Sequence, residues 1–312
     1  MGTYCFGIDV GGTTVKCGLF RTDGTLVEKW EIPTRKENNG DQILPDVAAA
    51  VNAKMEEKGI SKEEVEGVGI GVPGPVNSKG EVSRAVNLFW GYKNVVGEME
   101  ELTGLHAEAG NDANVAALGE AWKGAAAGSS DVIMVTLGTG VGGGIIINGK
   151  ILIGENGAGG EIGHMCVNLE ETDTCGCGRH GCLEQYASAT GISRLARKKM
   201  EHETRATILT KEDLSAKAVF DAVKEGDEVA IEVATEMGNY LGHAMADMAA
   251  VLDPAVFVIG GGVSKAGEVL LSFIEKPFME KAFFANKNVK FKLATLGNDA
   301  GICGAAKLVL ED

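Results

Sequence analysis

Gly7-Ile8-Asp9-Val10-Gly11-Gly12-Thr13-Thr14 joins two apolar stretches, TYCFGIDV (3–10) and VKCGLF (15–20), both rich in strand-forming residues. Adjacent glycines and two hydroxyls at a strand-to-strand turn can offer several N–H and O–H donors to a phosphate chain. Asp9 closes the first strand, where its carboxylate can hold Mg²⁺ through water. The segment is not a P-loop, because no Gly-Lys-[Ser/Thr] follows and the next element is a strand. Taken by itself it reads equally well as a glycine-rich β-hairpin.

Two further glycine turns change the balance. Gly138-Thr139-Gly140-Val141-Gly142-Gly143-Gly144 follows the apolar run DVIMVTL (131–137), and its first six residues match G-x-G-x-x-G. A dinucleotide-binding fold needs a helix directly after those glycines. Here IIINGKILI (145–153) reads as a hairpin around Asn148-Gly149, so that fold is set aside. Gly260-Gly261-Gly262-Val263-Ser264 closes the strand AVFVIG (255–260) and is read as opening a helix with Ser264 as N-cap. Such a turn suits a nucleotide lying along the backbone. In arrangement the three turns resemble the phosphate-1, phosphate-2 and adenosine motifs of the actin-like, ribonuclease H-type ATPases, which include sugar kinases.

The pattern around these turns repeats. The first half opens as a meander through TLVEKWEI (25–32), with Asp23-Gly24 as a turn, followed by a helix over 41–58. GVGIGV (67–72) and LHAEAG (105–110) read as strands, and 94–103 and 113–123 as helices. After 131 the strand, glycine turn and strand recur. Helices are then read near 187–200, 215–224 and 227–252, a strand over 288–293 and a small-residue helix over 300–310. Two halves of like design predict a duplicated α/β architecture with a cleft between lobes.

Bulk composition narrows the function classes. The 45 glycines among 312 residues are about twice the usual share. They are aperiodic and proline is scarce, so they signal tight turns rather than collagen or disorder. A net charge of −15 argues against nucleic acid or an anionic membrane as partner. No signal-peptide pattern opens the chain and no apolar run approaches a bilayer span, so a cytoplasmic protein with reduced thiols is expected.

His164, Cys175, Cys177 and Cys182 fall in His-x10-Cys-x-Cys-x4-Cys. One imidazole and three thiolates form the closed tetrahedral set of a structural Zn²⁺. Gly176, Gly178 and Gly181 let the loop tighten enough to converge the sulfurs. Cys166 would be a fifth ligand and is left out; Cys5, Cys17 and Cys303 lie in apolar elements and read as core. Glu161 and Glu184 flank this cluster, where a metal-stapled loop would hold both carboxylates rigidly as acceptors for a polyol. Asn111-Asp112 ends a strand and opens a helix. Either residue suits a helix cap, and a carboxylate there also suits the base that phosphoryl transfer to an alcohol needs.

With Asp9-Val10-Gly11-Gly12-Thr13, Asn87-Leu88-Phe89-Trp90, Asn111-Asp112-Ala113-Asn114, Leu137-Gly138-Thr139-Gly140, Glu161-Ile162-Gly163-His164, Cys175-Gly176-Cys177-Gly178, Gly181-Cys182-Leu183-Glu184 and Leu296-Gly297-Asn298-Asp299-Ala300-Gly301 in hand, the chain resembles the ROK family of bacterial sugar kinases and repressors. Within it, Gly160-Glu161-Ile162-Gly163-His164 and Cys182-Leu183-Glu184-Gln185-Tyr186-Ala187-Ser188 look most like the zinc-containing glucokinases.

The resemblance implies an α/β, two-lobed, hexokinase-like fold with an interlobe cleft. The small lobe would be residues 1–110 with the helix 299–312 packed back onto it, and the large lobe 111–298 with the zinc loop 154–184. It implies ATP-dependent phosphorylation of a hexose 6-hydroxyl, with Asp112 as base. Gly74, Asn87, Asn111, Asp112, Glu161, His164 and Glu184 would hold the sugar. ATP and Mg²⁺ would meet Asp9, Gly11, Gly12, Thr13, Thr14, Lys16, Gly138, Thr139, Gly140, Gly260, Gly261 and Gly262. His164 would use one ring nitrogen for zinc and the other for the sugar, and a homodimer or homotetramer is expected. Glucose is preferred as acceptor. Fructose, N-acetylglucosamine, N-acetylmannosamine and allose, a polyphosphate donor, or a non-catalytic sugar-responsive regulator remain as alternatives. A repressor would need a DNA-binding segment before the first glycine turn, which begins at residue 7.

Overall fold

The computed structural model describes residues 2–310. The chain divides into two compact units, one of Met1–Ser130, Gly144–Gly160 and Thr295–Asp312, the other of Asp131–Gly143 and Glu161–Ala294.

In the first unit β1 (Tyr4–Val10), β2 (Thr14–Arg21) and β3 (Leu26–Pro33) form an antiparallel meander, turned at Gly24 with φ 87°. Then come α1 (Glu37–Gly40), α2 (Ile43–Lys58), β4 (Val65–Val72), β5 (Glu81–Val82), β6 (Lys93–Asn94), α3 (Val95–Thr103), β7 (Ala107–Asn111) and α4 (Asp112–Lys123). The sheet order is β3-β2-β1-β4-β7, with β1, β4 and β7 parallel. Almost all of β4 is buried, as a central parallel strand must be. Ile43, Leu44, Val47, Val51 and Met55 put one face of α2 into the same core.

The second half supplies β8 (Val132–Leu137), β9 (Val141–Ile147), β10 (Lys150–Ile151), α5 (Glu184–Ala187), α6 (Ala189–Met200), α7 (Ala216–Lys224), α8 (Glu228–Leu252), β11 (Val256–Gly260), α9 (Glu268–Lys281) and β12 (Lys290–Leu293). Its sheet order, β10-β9-β8-β11-β12, repeats the first position by position. The β9–β10 hairpin turns on Asn148 and Gly149, both at positive φ, as a two-residue turn between twisted strands requires. Duplication is therefore visible in topology, which hydrophobic period alone does not reveal. Among the described residues no helix is long and apolar enough to cross a membrane.

The units cut the chain elsewhere than the expected lobes. Residues 111–130 and 144–160 fall with the first unit, because α4 packs on β4, β7, β10 and the C-terminal helix α10 (Ala300–Leu308). Of the helix expected over 299–312, residues 311 and 312 lie outside the described residues. Glycines make this packing possible. A Cβ on Gly69 would lie 1.7 Å from the Ala305 carbonyl oxygen, and one on Gly304 would lie 1.7 Å from that of Val115. The helix thus rests directly on backbone. Gly304→Ala is expected to destabilise by about 2–3 kcal/mol, the upper part of the overpacking range. A fall of roughly 4–12 °C in Tm should report it; an unchanged Tm would contradict this packing.

Nearby, the buried Glu120 carboxylate accepts N–H bonds from Ala125 (2.7 Å), Thr295 (3.0 Å) and Leu296 (2.8 Å). These charge-assisted bonds satisfy a buried anion and pin the segment entering α10.

Candidate active site and metal centre

In the first unit the predicted residues gather at the carboxyl ends of the parallel strands β1, β4 and β7, where α/β sheets bind ligands. Asp9 pairs in register with Gly71, and Val72 with Asn111. Burial raises the Asp9 carboxyl above its ordinary pKa, and Lys16, whose ammonium lies 3.8 Å away, pulls it back down. Lys16 also donates to the Asn298 carbonyl at 3.4 Å. Gly301 leaves the room Asp9 occupies, since a Cβ there would come within 2.6 Å of its Cγ.

The Gly11–Thr14 turn is closed by Gly11 N–H donating to the Thr14 carbonyl at 3.1 Å. Thr34 clamps it from outside through its hydroxyl to the Gly11 carbonyl (2.7 Å) and its N–H to that of Thr13 (3.0 Å). Asn87 lies exposed on a 3-10 turn, Val86–Leu88, and its carbonyl oxygen is 3.8 Å from where a Gly12 Cβ would sit. The Asn87 loop and the first glycine turn are therefore neighbours. Trp90 anchors that loop by donating its indole N–H to the Gly40 carbonyl at 3.1 Å.

Asn111 proves to be the N-cap of α4: its side-chain oxygen accepts from Ala113 (3.0 Å) and Asn114 (3.2 Å). Its amide donates to the Gly74 carbonyl at 3.1 Å, which ties the Pro73-Gly74 turn to the helix mouth. Asp112 is the first helical residue, exposed, with Oδ1 accepting from Ala113 N–H at 2.8 Å. The cap and the candidate base are thus different residues.

In the second unit Gly138 N–H donates to the Gly140 carbonyl (3.0 Å), and β9 follows directly, so no dinucleotide helix exists there. Glu184 Oε2 accepts the Val141 N–H at 3.0 Å, and a Gly140 Cβ would lie 2.1 Å from that oxygen. The carboxylate expected to face the sugar therefore also supports the glycine turn. Gly261, at φ 82°, packs against the Leu137 carbonyl, placing the third turn beside the second.

One expectation fails here: Ser264 caps no α-helix. Its hydroxyl donates back to the Gly261 carbonyl at 2.7 Å, residues Val263–Ala266 form a 3-10 turn, and Gly267 at φ 84° redirects the chain before α9 begins. A cavity of about 380 Å³ lies between that turn and α7. Gly262, Val263 and Ala266 line one side and Ala216 and Phe220 the other, with Lys217 and Lys265 at hand. Its size and apolar lining suit a planar heterocycle. Sequence reading missed α7 as a wall because its apolar face resembles any core helix.

The ligand atoms of His164, Cys175, Cys177 and Cys182 all lie within 4.8 Å of one another. Cys177 and Cys182 sulfurs are 3.6 Å apart, and the Cys175 sulfur is 3.9 Å from His164 Nδ1. Zn–S bonds of about 2.3 Å imply tetrahedral S···S edges of about 3.8 Å, so the residues fit zinc. The cluster presents Nδ1 and leaves Nε2 as the other ring nitrogen. Hydrogen bonds from the Arg179 N–H and guanidinium pull the Cys177 thiol down to about 6, whereas burial pushes Cys182 up to about 12. Gly178 and Gly181 stand at φ 85° and 71°, and a Cβ on Gly181 would lie 1.8 Å from the Asn168 carbonyl oxygen. Cys166 is exposed and outside the cluster; Cys5, Cys17 and Cys303 are buried. Glu161 is exposed and immediately precedes the 3-10 turn Ile162–His164.

A network behind the loop was not legible in sequence. Tyr186 donates to Glu171 (2.6 Å), Arg194 bridges Glu171 and Asp173, and Tyr186 stacks on Tyr240 with centroids 3.9 Å apart.

The chain is 44% identical to the glucokinase of Halalkalibacterium halodurans, covering 98% of this chain and 94% of that protein. It is 34% identical to the glucokinase of Thermotoga maritima, covering 98% and 96%. The crystal structure of a ROK family glucokinase from Streptomyces griseus, in complex with glucose and AMPPNP, is similar with a TM-score of 0.74, 35% identity and 98% coverage of both chains. The ROK family model matches residues 5–312, so with the glycine turns, Asn111-Asp112 and the Cys3His cluster in place the chain belongs to the ROK family.

Proposed function

We propose that this chain is an ATP-dependent glucokinase that transfers the γ-phosphoryl group to the 6-hydroxyl of glucose. The observation that carries the reading is full-length likeness to bacterial glucokinases, together with a Cys3His cluster flanked by two carboxylates.

Asp112 accepts the proton of the 6-hydroxyl as that oxygen attacks phosphorus and ADP leaves. Asn87, Glu161, His164 and Glu184 hold the remaining hydroxyls. Asn111 acts mainly by fixing Gly74 and the helix mouth, since its oxygen and one amide hydrogen are already engaged. Gly11–Thr14, Lys16 and Gly138–Gly140 offer N–H, hydroxyl and ammonium donors to the phosphates. Gly260–Gly262 would bear the ribose, with the adenine in the slot beside Phe220. Asp9 would hold Mg²⁺, which neutralises phosphate charge when bound. Zinc, with all four ligands from protein, stiffens the sugar loop and leaves no open position for chemistry. The reduced thiols fit a cytoplasmic enzyme, and a homodimer or homotetramer is the expected assembly.

A coupled ADP-release assay over a hexose panel tests the reading. An acceptor that leaves Glu161 or Glu184 without its hydroxyl loses about 1–3 kcal/mol per unmade bond. kcat/KM for glucose should therefore exceed that for N-acetylglucosamine by about 5–150-fold. Equal values would refute glucose specificity, and sugar binding without turnover would indicate a regulator.

A further inference from the structure

We propose that Arg179 is a positioning residue of the metal centre, joining the Cys-x-Cys knuckle to the turn that carries His164 and Glu161. The inference rests on the metal reading of the four ligands and not on which sugar is phosphorylated.

Arg179 is two residues from Cys177 in sequence but fifteen from His164. Its Nη2 nevertheless donates to the His164 carbonyl at 2.8 Å, which brings the guanidinium from the knuckle onto the turn that carries His164. The main chain reinforces this placement: Cys175 N–H donates to the Arg179 carbonyl at 2.7 Å, and Gly178 N–H to that of Cys175 at 2.8 Å. Gly178 and Gly181, both left-handed, bracket the residue and turn its side chain back over the cluster. Among the described residues no carboxylate pairs with Arg179, in a chain where many lysines and arginines have one. Its charge is held at the cluster's edge through the His164 carbonyl.

The electrostatics give that direction a purpose. Zn²⁺ with three thiolates and a neutral imidazole carries one net negative charge. A guanidinium against one thiolate balances it, and hydrogen bonds to coordinating sulfur hold the ligand in place. Arg does this where Lys cannot fully, because its fork can reach Cys177 and His164 together. Since His164 N–H is bonded to the Glu161 carbonyl at 3.1 Å, the same fork steadies the 3-10 turn that presents Glu161.

The experiment compares zinc release to a chromogenic chelator from wild type, Arg179→Lys and Arg179→Gln, with Tm as the check on folding. Cobalt-substituted protein adds the thiolate-to-metal charge-transfer band. Arg179→Gln should release zinc about 10–100-fold faster, the range for a lost outer partner, with a shifted cobalt band. KM for glucose should rise while kcat changes much less. Arg179→Lys should fall between the two, restoring charge without the fork. Because the side chain is exposed, the fold should survive both changes. Wild-type release kinetics and an unmoved cobalt band in folded Arg179→Gln would overturn the proposal. Wild-type protein purified without zinc would overturn it earlier, by removing the metal reading beneath it and leaving the kinase reading untouched.

Discussion

Asp112→Asn is expected to reduce kcat for glucose phosphorylation by about 10²–10⁴-fold, the usual cost of a lost general base. An amide can still hydrogen-bond the 6-hydroxyl but has no useful basicity, so glucose binding should change far less than turnover. The fold should tolerate the change because α4 is capped by Asn111, whose oxygen accepts from Ala113 and Asn114 whatever stands at 112. What the helix loses is one negative charge in its first turn, about 0.3–1 kcal/mol. Tm by scanning calorimetry, kcat by the coupled assay and glucose affinity by titration calorimetry separate the effects. A folded Asp112→Asn protein with unchanged kcat would remove Asp112 from the chemistry.

The separation of cap and candidate base shows where sequence reading stops. Asn and Asp are both good caps, and nothing in the string Asn111-Asp112 chooses between them. The backbone chooses: Asn111 sits at φ −62°, ψ 140°, the extended conformation a cap needs, and Asp112 is already helical. The glycine turns were legible as turns because clustered glycines between apolar runs break both strand and helix patterns. The candidate metal ligands were legible because three cysteines and a histidine fall within nineteen residues, a spacing that one loop can close around an ion. By contrast, α4 belongs with α10 through Gly119, Gly304 and backbone carbonyls, contacts that leave no hydrophobic pattern to read. Ser264 misled because a serine after glycines at a strand end looks like a cap, while its hydroxyl turns back to Gly261. Arg179, in the exposed stretch 176–180, looks like any solvated charge until the loop is folded.

Cys177→Ser should empty the metal centre and weaken both substrates together. An alcohol does not ionise near neutrality, so serine cannot replace the thiolate of a closed four-ligand site. Metal analysis should find about one zinc per chain in wild type and far less in the variant. On the proposed reading His164 is itself a ligand and Glu161 adjoins its turn, so the groups proposed to face the sugar would lose their common support. The KM for glucose should rise by at least the 10–100-fold that loss of even an outer-shell partner costs. The nucleotide side should also respond. Glu184 lies 3.8 Å from the Cys175 sulfur through one oxygen and holds the Val141 N–H at 3.0 Å through the other. When the loop slackens, that carboxylate no longer fixes the Gly138–Gly140 turn, and KM for ATP should increase as well. Cys166→Ser is the matched control, since that thiol is exposed and outside the cluster, and it should leave zinc and both KM values unchanged. Buried strands β8 and β11 do not depend on the loop for their packing, so unfolding should remain cooperative with a lower Tm. Zinc-free Cys177→Ser protein with wild-type KM for glucose would show that the metal does not organise the sugar side. A rise confined to glucose, with ATP unaffected, would instead show that Glu184 holds the glycine turn without help from the metal.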